Sequence, residues 1–141
     1  MKILIIEDRE SDSELLKTYI ERIDDSCQIE VETTLTHGIN NLIENFFDVL
    51  FLDLILPDSD GKDTINTVIN KVDSFKNKTV KIIVLTGLRD YKIAKNSLNN
   101  GITDFIIKDN QNEQTVKRAI TFATYEQNAP KRGMLSFLGL K

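Results

Sequence analysis

The stretch Val49-Leu50-Phe51-Leu52-Asp53-Leu54-Ile55-Leu56-Pro57-Asp58-Ser59-Asp60-Gly61 decides how this chain is read. It opens as an unbroken apolar run, too short and too rich in β-formers for a helix of its own. Such a run reads as a strand buried on both faces, the kind found in a parallel sheet. Asp53 follows the run, and Pro57 and Gly61 bracket Asp58, Ser59 and Asp60 as a turn. Asp53 is therefore expected at the carboxyl end of a central strand, beside a loop. Open α/β sheets place ligands and chemistry along that edge.

Working outward, strands and helices alternate. The pattern predicts strand β1 over 3–6, ending in Glu7-Asp8, and helix α1 on the stripe Leu15, Leu16, Tyr19, Ile20 and Ile23, with Ser11 or Asp12 as its cap. Strand β2 is predicted over 28–33, half-exposed, and helix α2 on Ile39, Leu42, Ile43 and Phe46, capped by Thr36. Strand β3 covers 48–53, and α3 rests on Ile65, Val68, Ile69 and Val72. Residues 73–79 read as a lysine-rich loop. Strand β4 over 80–85 ends in Thr86-Gly87, and a weaker α4 follows on Tyr91, Ile93, Ala94 and Leu98. Gly101 breaks the chain before β5 over 103–107, which ends in Lys108-Asp109; Val116, Ala119, Ile120 and Ala123 mark α5. Five strands alternating with five helices argue for a doubly wound α/β fold, a parallel sheet with helices on both faces. Right-handed crossovers leave few topologies, and the order 2-1-3-4-5 is the one expected.

The bulk numbers exclude several classes. With 141 residues, one domain is expected; 40% hydrophobic and 28% charged residues are ordinary for a globular protein. A net charge of −4 offers no clustered basic face for nucleic acid. The apolar start is too short for a signal peptide or a membrane span. A single cysteine, Cys27, forms no internal disulfide and fits a reducing cytoplasm.

In the expected order, β1 and β3 are neighbours, so Glu7, Asp8 and Asp53 crowd together. Like charges that close repel unless a cation sits among them. Mg²⁺ suits an all-oxygen site and keeps waters that a phosphate can replace. Thr86 and Lys108, at the ends of the flanking strands, could hold phosphoryl oxygens while a carboxylate attacks phosphorus.

At this point the sequence resembles a response regulator receiver domain, the flavodoxin-like phosphoacceptor module of two-component signalling. The resemblance covers 1–126 and rests on Ile5-Ile6-Glu7-Asp8, on Leu52-Asp53-Leu54-Ile55-Leu56-Pro57-Asp58-Ser59-Asp60-Gly61, on Val84-Leu85-Thr86-Gly87, and on Gly101-Ile102-Thr103-Asp104-Phe105-Ile106-Ile107-Lys108. It implies that Asp53 takes a phosphoryl group from a histidine kinase or phosphotransfer protein. It implies Mg²⁺ on Asp8, Asp53 and the main-chain carbonyl of Ile55, with Glu7 acting through a water. Lys108 would bind the acyl phosphate, Thr86 would turn its hydroxyl toward it, and Phe105 would change rotamer. Gly87 would leave room for the phosphoryl oxygens. The output would be protein–protein contact through the α4–β5–α5 face, with a homodimer on that face as a further expectation. Two departures stand out. Asp109 occupies the place where the family usually has a cis-linked proline, and Phe105 replaces the frequent tyrosine.

Rival readings are a pseudo-receiver that has lost phosphorylation, an aspartyl phosphatase, and a flavin or nucleotide binder. The retained Asp8, Asp53, Thr86 and Lys108 oppose the first. The second wants an acid two positions after the nucleophile, where Ile55 stands; the third wants a glycine- or hydroxyl-rich loop where Arg9-Glu10-Ser11-Asp12 stands. His37 and Lys71, Lys76, Lys78 and Lys81 read as solvated surface, and Cys27 as a half-buried residue near β2. Residues 127–141 read as a basic, then apolar, tail or linker; a docking peptide is the sharper alternative. They are too few for an output domain, so a stand-alone or excised domain is expected.

Overall fold

Alternation along each strand assigns the two faces of the sheet. The computed structural model describes residues 1–128. Strand β1 (Lys2–Ile6) turns Ile3 and Ile5 to one side and Leu4 and Ile6 to the other. Strand β3 (Val49–Asp53) splits the same way, with Val49 and Phe51 on the first side and Leu50 and Leu52 on the second. Strands β2 (Gln28–Glu32), β4 (Lys81–Thr86) and β5 (Asp104–Ile107) complete one parallel sheet. Numbered this way, the strand order is 2-1-3-4-5, as expected. The two-residue strands Ile55–Leu56 and Ser59–Asp60 pair apart from it as a small hairpin.

Helices cover both faces. Helices α1 (Glu10–Ile23) and α5 (Glu113–Asn128) lie on the first side, through Leu16, Ile20, Val116, Ala119 and Ile120. Helices α2 (Leu35–Glu44), α3 (Gly61–Lys71) and α4 (Tyr91–Ser97) lie on the second, through Leu35, Ile39, Leu42, Ile65, Val68 and Ala94. Each fully buried Leu, Ile or Phe contributes about 1.5–3 kcal/mol by leaving water. The central strands carry these residues without interruption, and this burial is the main force holding the sheet. Among the described residues, no helix is long and apolar enough to cross a membrane.

Several local expectations differ from the structure. Helix α1 starts at Glu10, with Arg9 at the cap position and no side-chain cap bond; Ser11 and Asp12 lie inside the first turn. Helix α2 is capped by Thr34, whose hydroxyl accepts from the His37 N–H; Thr36 is already helical. Phe46 lies beyond α2 and is 49% exposed, while its neighbour Phe47 is fully buried. Residues 73–79 are not a plain solvated loop. Phe75 and Asn77 are buried, and Asn77 donates to the Phe47 carbonyl at 2.8 Å and accepts from Thr79. The sequence shows mostly polar residues there; the buried polar one, Asn77, is satisfied by a tertiary bond thirty residues away. Helix α5 runs through Asn128, beyond residue 126. The suggested docking role of the tail falls on residues outside those described.

Candidate functional site

Register brings the acidic residues level. Ile6 on β1 pairs with Leu52 on β3, so the next residues along, Glu7 and Asp53, meet at the carboxyl edge. The Glu7 N–H continues the ladder to the Glu32 carbonyl at 3.0 Å, which fixes its backbone. Asp8 follows and is exposed. Carboxylate oxygens of Glu7, Asp8 and Asp53 all lie within 4.8 Å of one another. Glu7 and Asp53 are almost wholly buried, at 1% and 4% exposure.

Lys108 reaches this cluster from the far side of β4. Ile107 pairs with Thr86, so Lys108 leaves β5 just beyond the end of β4. Its Nζ donates to Asp53 Oδ2 at 2.7 Å and to Glu7 Oε2 at 2.9 Å. Burial works against the lysine's charge, but the Asp53 and Glu7 carboxylates outweigh it and raise the lysine's pKa. Burial, together with the neighbouring Asp53, pushes Glu7 up to about 7. One ammonium thus faces more carboxylate charge than it neutralises. The donor set is entirely hard oxygen, and a surplus of negative charge at such a set fits a divalent cation of the Mg²⁺ type.

Ile55 and Gly87 join Asp8, Asp53 and Lys108 in lining a cavity of about 350 Å³, whereas Thr86 and Phe105 do not line it. Asp53 Oδ1 accepts from the Ile55 N–H at 3.1 Å, so both oxygens of this carboxylate are engaged. A methyl group added at Gly87 would meet nothing within 4 Å, so the space beside it is open. Thr86 is buried, and its hydroxyl donates to the Gly87 carbonyl at 3.0 Å rather than to the carboxylates. Phe105 is half-buried against the α2–α3–α4 side of the core. Where the family usually has proline, Asp109 follows Lys108 through a trans bond, and Lys108–Asn110 forms a single 3₁₀ turn closed by the Gln111 N–H on the Lys108 carbonyl.

Sequence reasoning missed two residues here. Asp12, read only as a helix cap, places Oδ2 3.5 Å from Lys108 Nζ. Its place four residues after Asp8, on the first turn of α1, was a usable signal. Asp58 accepts from the Leu35 and Thr36 N–H groups at 2.9 and 3.0 Å and from the Thr36 hydroxyl at 2.8 Å. Partial burial tends to raise the Asp58 carboxyl, but the Thr36 and Leu35 donors outweigh it and hold it below the usual range. This bond ties the loop after β3 to the start of α2, across 22 residues or more, and nothing local announces it. The Thr64 hydroxyl, bonded to the Leu54 carbonyl at 2.9 Å, fixes the same loop from inside.

Comparison with known proteins agrees with this geometry. The family model described as "Response regulator receiver domain" matches residues 3–120. The chain is similar to the response regulator ArlR of Staphylococcus saprophyticus, 23% identical over 139 residues, 99% of this chain and 58% of that protein. It is also similar to the transcriptional regulatory protein ResD of Bacillus subtilis, 25% identical over 143 residues, 96% of this chain and 56% of the relative. The chain spans about half the length of the curated relatives it matches. Among solved structures, a two-component response regulator from Clostridium difficile superposes with a TM-score of 0.75 at 25% identity, covering 92% of this chain and 99% of that one. A CheY-like receiver domain from Methanospirillum hungatei shares the fold with a TM-score of 0.72 at 22% identity, covering 91% and 98%. The match over 3–120, on a sheet whose edge gathers Glu7, Asp8, Asp53 and Lys108, places this chain in the response regulator receiver domain family.

Proposed function

We propose that this chain is a phosphorylation-dependent signalling switch whose phosphoacceptor is Asp53. The observation that carries the reading is the Lys108 ammonium held 2.7 Å from Asp53 Oδ2, beside an open cavity at Gly87. An Asp53 oxygen attacks phosphorus on a phosphohistidine of a kinase or phosphotransfer protein. The O–P bond forms as the P–N bond breaks, and the imidazole leaves with that electron pair and takes a proton from solvent. Lys108 is placed to bind the phosphoryl oxygens, and Gly87 leaves them room. Asp8, Asp53 and the Ile55 carbonyl would hold Mg²⁺, with Glu7 one water removed; the bound ion supplies positive charge that offsets the crowded oxygens. The chain catalyses only its own phosphorylation and dephosphorylation.

Phosphorylation adds roughly one to two negative charges, enough to bias a two-state element. The Thr86 hydroxyl then exchanges the Gly87 carbonyl for the phosphoryl group, and half-buried Phe105 moves inward behind it. Output follows by protein contact, or by self-association, on the α4–β5–α5 face, in the cytoplasm. The test is intact mass after incubation with acetyl phosphate and Mg²⁺. A gain of one phosphoryl group, absent from Asp53→Asn and without metal, is expected. No gain, together with no binding of beryllofluoride, overturns the reading.

A further inference from the structure

The edge of the sheet opposite Asp53 carries a larger cavity, about 500 Å³, between α1 and α5. Met1, Ile20, Ile23, Cys27, Ile120 and Tyr125 make most of its lining apolar. An open apolar recess of this kind favours an occupant that removes it from water. Two features say what that occupant is. The first is position: Thr121, Thr124 and Tyr125 of α5 wall the cavity, and Asn128, the last described residue, follows within about one helical turn of Tyr125. Six further residues reach up to roughly 20 Å, ample to return over it. The second is composition: Lys131-Arg132 precedes Met134, Leu135, Phe137, Leu138 and Leu140. The apolar residues match the lining. The basic pair matches Asp24 at the cavity and Asp25 beside it. The Ser26 hydroxyl and N–H hold the Asp24 carboxyl below its usual range, so it is anionic.

We propose that residues 130–141 of this chain dock in the α1–α5 cavity, apolar side chains inward and the basic pair against Asp24 and Asp25. The docked segment covers the edge remote from the phosphoryl site, and the proposal is independent of phosphorylation.

Cys27, the only cysteine, lines this cavity and reports its occupancy. The experiment measures Cys27 labelling by N-ethylmaleimide, without phosphodonor, in three proteins: the intact chain, the chain lacking 130–141, and the full-length double variant Leu135→Asp/Phe137→Asp. Every described core side chain lies between Ile3 and Ala123, so the truncation removes none of them. The double variant keeps the length and the basic pair. A segment docked nine-tenths of the time slows labelling about tenfold, so both variants should label about tenfold faster than the intact chain. Their cooperative melts should persist, and the intact chain's protection should not depend on protein concentration. Equal rates in all three proteins overturn the proposal. So does protection that grows with concentration, which would make a second copy the occupant, and so does fast labelling confined to variants that no longer melt cooperatively.

Discussion

Lys108 Nζ lies 2.7 Å from Asp53 Oδ2, an ion pair between residues 55 positions apart that spans the carboxyl end of β4. This lysine is the cation hydrogen-bonded to the buried Asp53 and Glu7 carboxylates. Removing it strands two buried carboxylates, a change that costs most when nothing replaces the charge. Lys108 is 28% exposed, so solvent tempers the loss. Lys108→Ala should destabilise the metal-free chain by about 1–3 kcal/mol. Mg²⁺ should restore more stability to the variant than to the native chain, because the added ion takes over part of the lost charge. Urea unfolding in EDTA and in Mg²⁺ measures both effects.

Glu7 makes stability depend on pH in an unusual direction. Its ordinary value is 4.5, and burial beside Asp53 moves it to about 7. Between those values the folded chain holds a proton that the unfolded chain has lost. Stability therefore falls as pH rises through this window, by up to about 3 kcal/mol. The contribution is fully present below about 4.5 and gone above about 7. In EDTA, urea midpoints from pH 5 to 8 should decline in the native chain and decline less in Glu7→Gln.

The same proton competes with a metal. If Glu7 must ionise before the oxygen cluster accepts a divalent ion, Mg²⁺ affinity should rise from pH 6 toward 8 and level off above. Calorimetry at fixed ionic strength should show proton release on binding at pH 6.5 and little at pH 8. In Glu7→Gln that release should vanish.

Asp12 competes for the lysine. Its carboxylate lies 3.5 Å from Lys108 Nζ and is 39% exposed, so the pair contributes less than about 1 kcal/mol to stability. A carboxylate holding the ammonium weakly also opposes its transfer to a phosphoryl group. Asp12→Asn should leave the urea midpoint nearly unchanged and speed labelling by acetyl phosphate about two- to fivefold. Initial rates by intact mass decide this.

Gly38 inverts the usual helix rule. Alanine at an interior helix position normally adds up to about 1 kcal/mol over glycine. A Cβ at Gly38 would overlap the Ile6 Cδ1 and Cγ1 atoms, so the fully buried Ile6 side chain would have to shift to make room. Overpacking of this kind costs about 1–3 kcal/mol and outweighs the propensity gain. Gly38→Ala should lower stability, and Ile6→Val in the same chain should recover part of the loss. A double-mutant cycle of melting or urea data measures that coupling.

The legible and the hidden divide along a physical line. Strand residues such as Ile3–Ile6 and Val49–Leu52 are apolar on both faces, and helices such as α3 repeat their apolar residues every three or four positions. Periodicity is a local property, so element order and the two-faced sheet can be read without coordinates. Glu7, Asp53, Thr86 and Lys108 were readable for the same reason: each ends an apolar run, and strand ends of a parallel sheet share one edge.

What the chain's one-dimensional pattern could not supply was contact between distant segments. The Asp58 cap on α2, the Asn77 bond to Phe47 and the Asp12 approach to Lys108 each join polar groups far apart in sequence. A hydroxyl's direction was equally invisible: Thr86 is where the strand pattern puts it, but only packing turns its hydroxyl to the Gly87 carbonyl. By itself the sequence determined the order of elements, the faces of the sheet and the edge where the charges gather, because these follow from local hydrophobic period and chain connectivity. The tertiary structure alone decided which charge partners which and how high Glu7 titrates, because both depend on distances and on burial, and neither is a property of neighbouring residues.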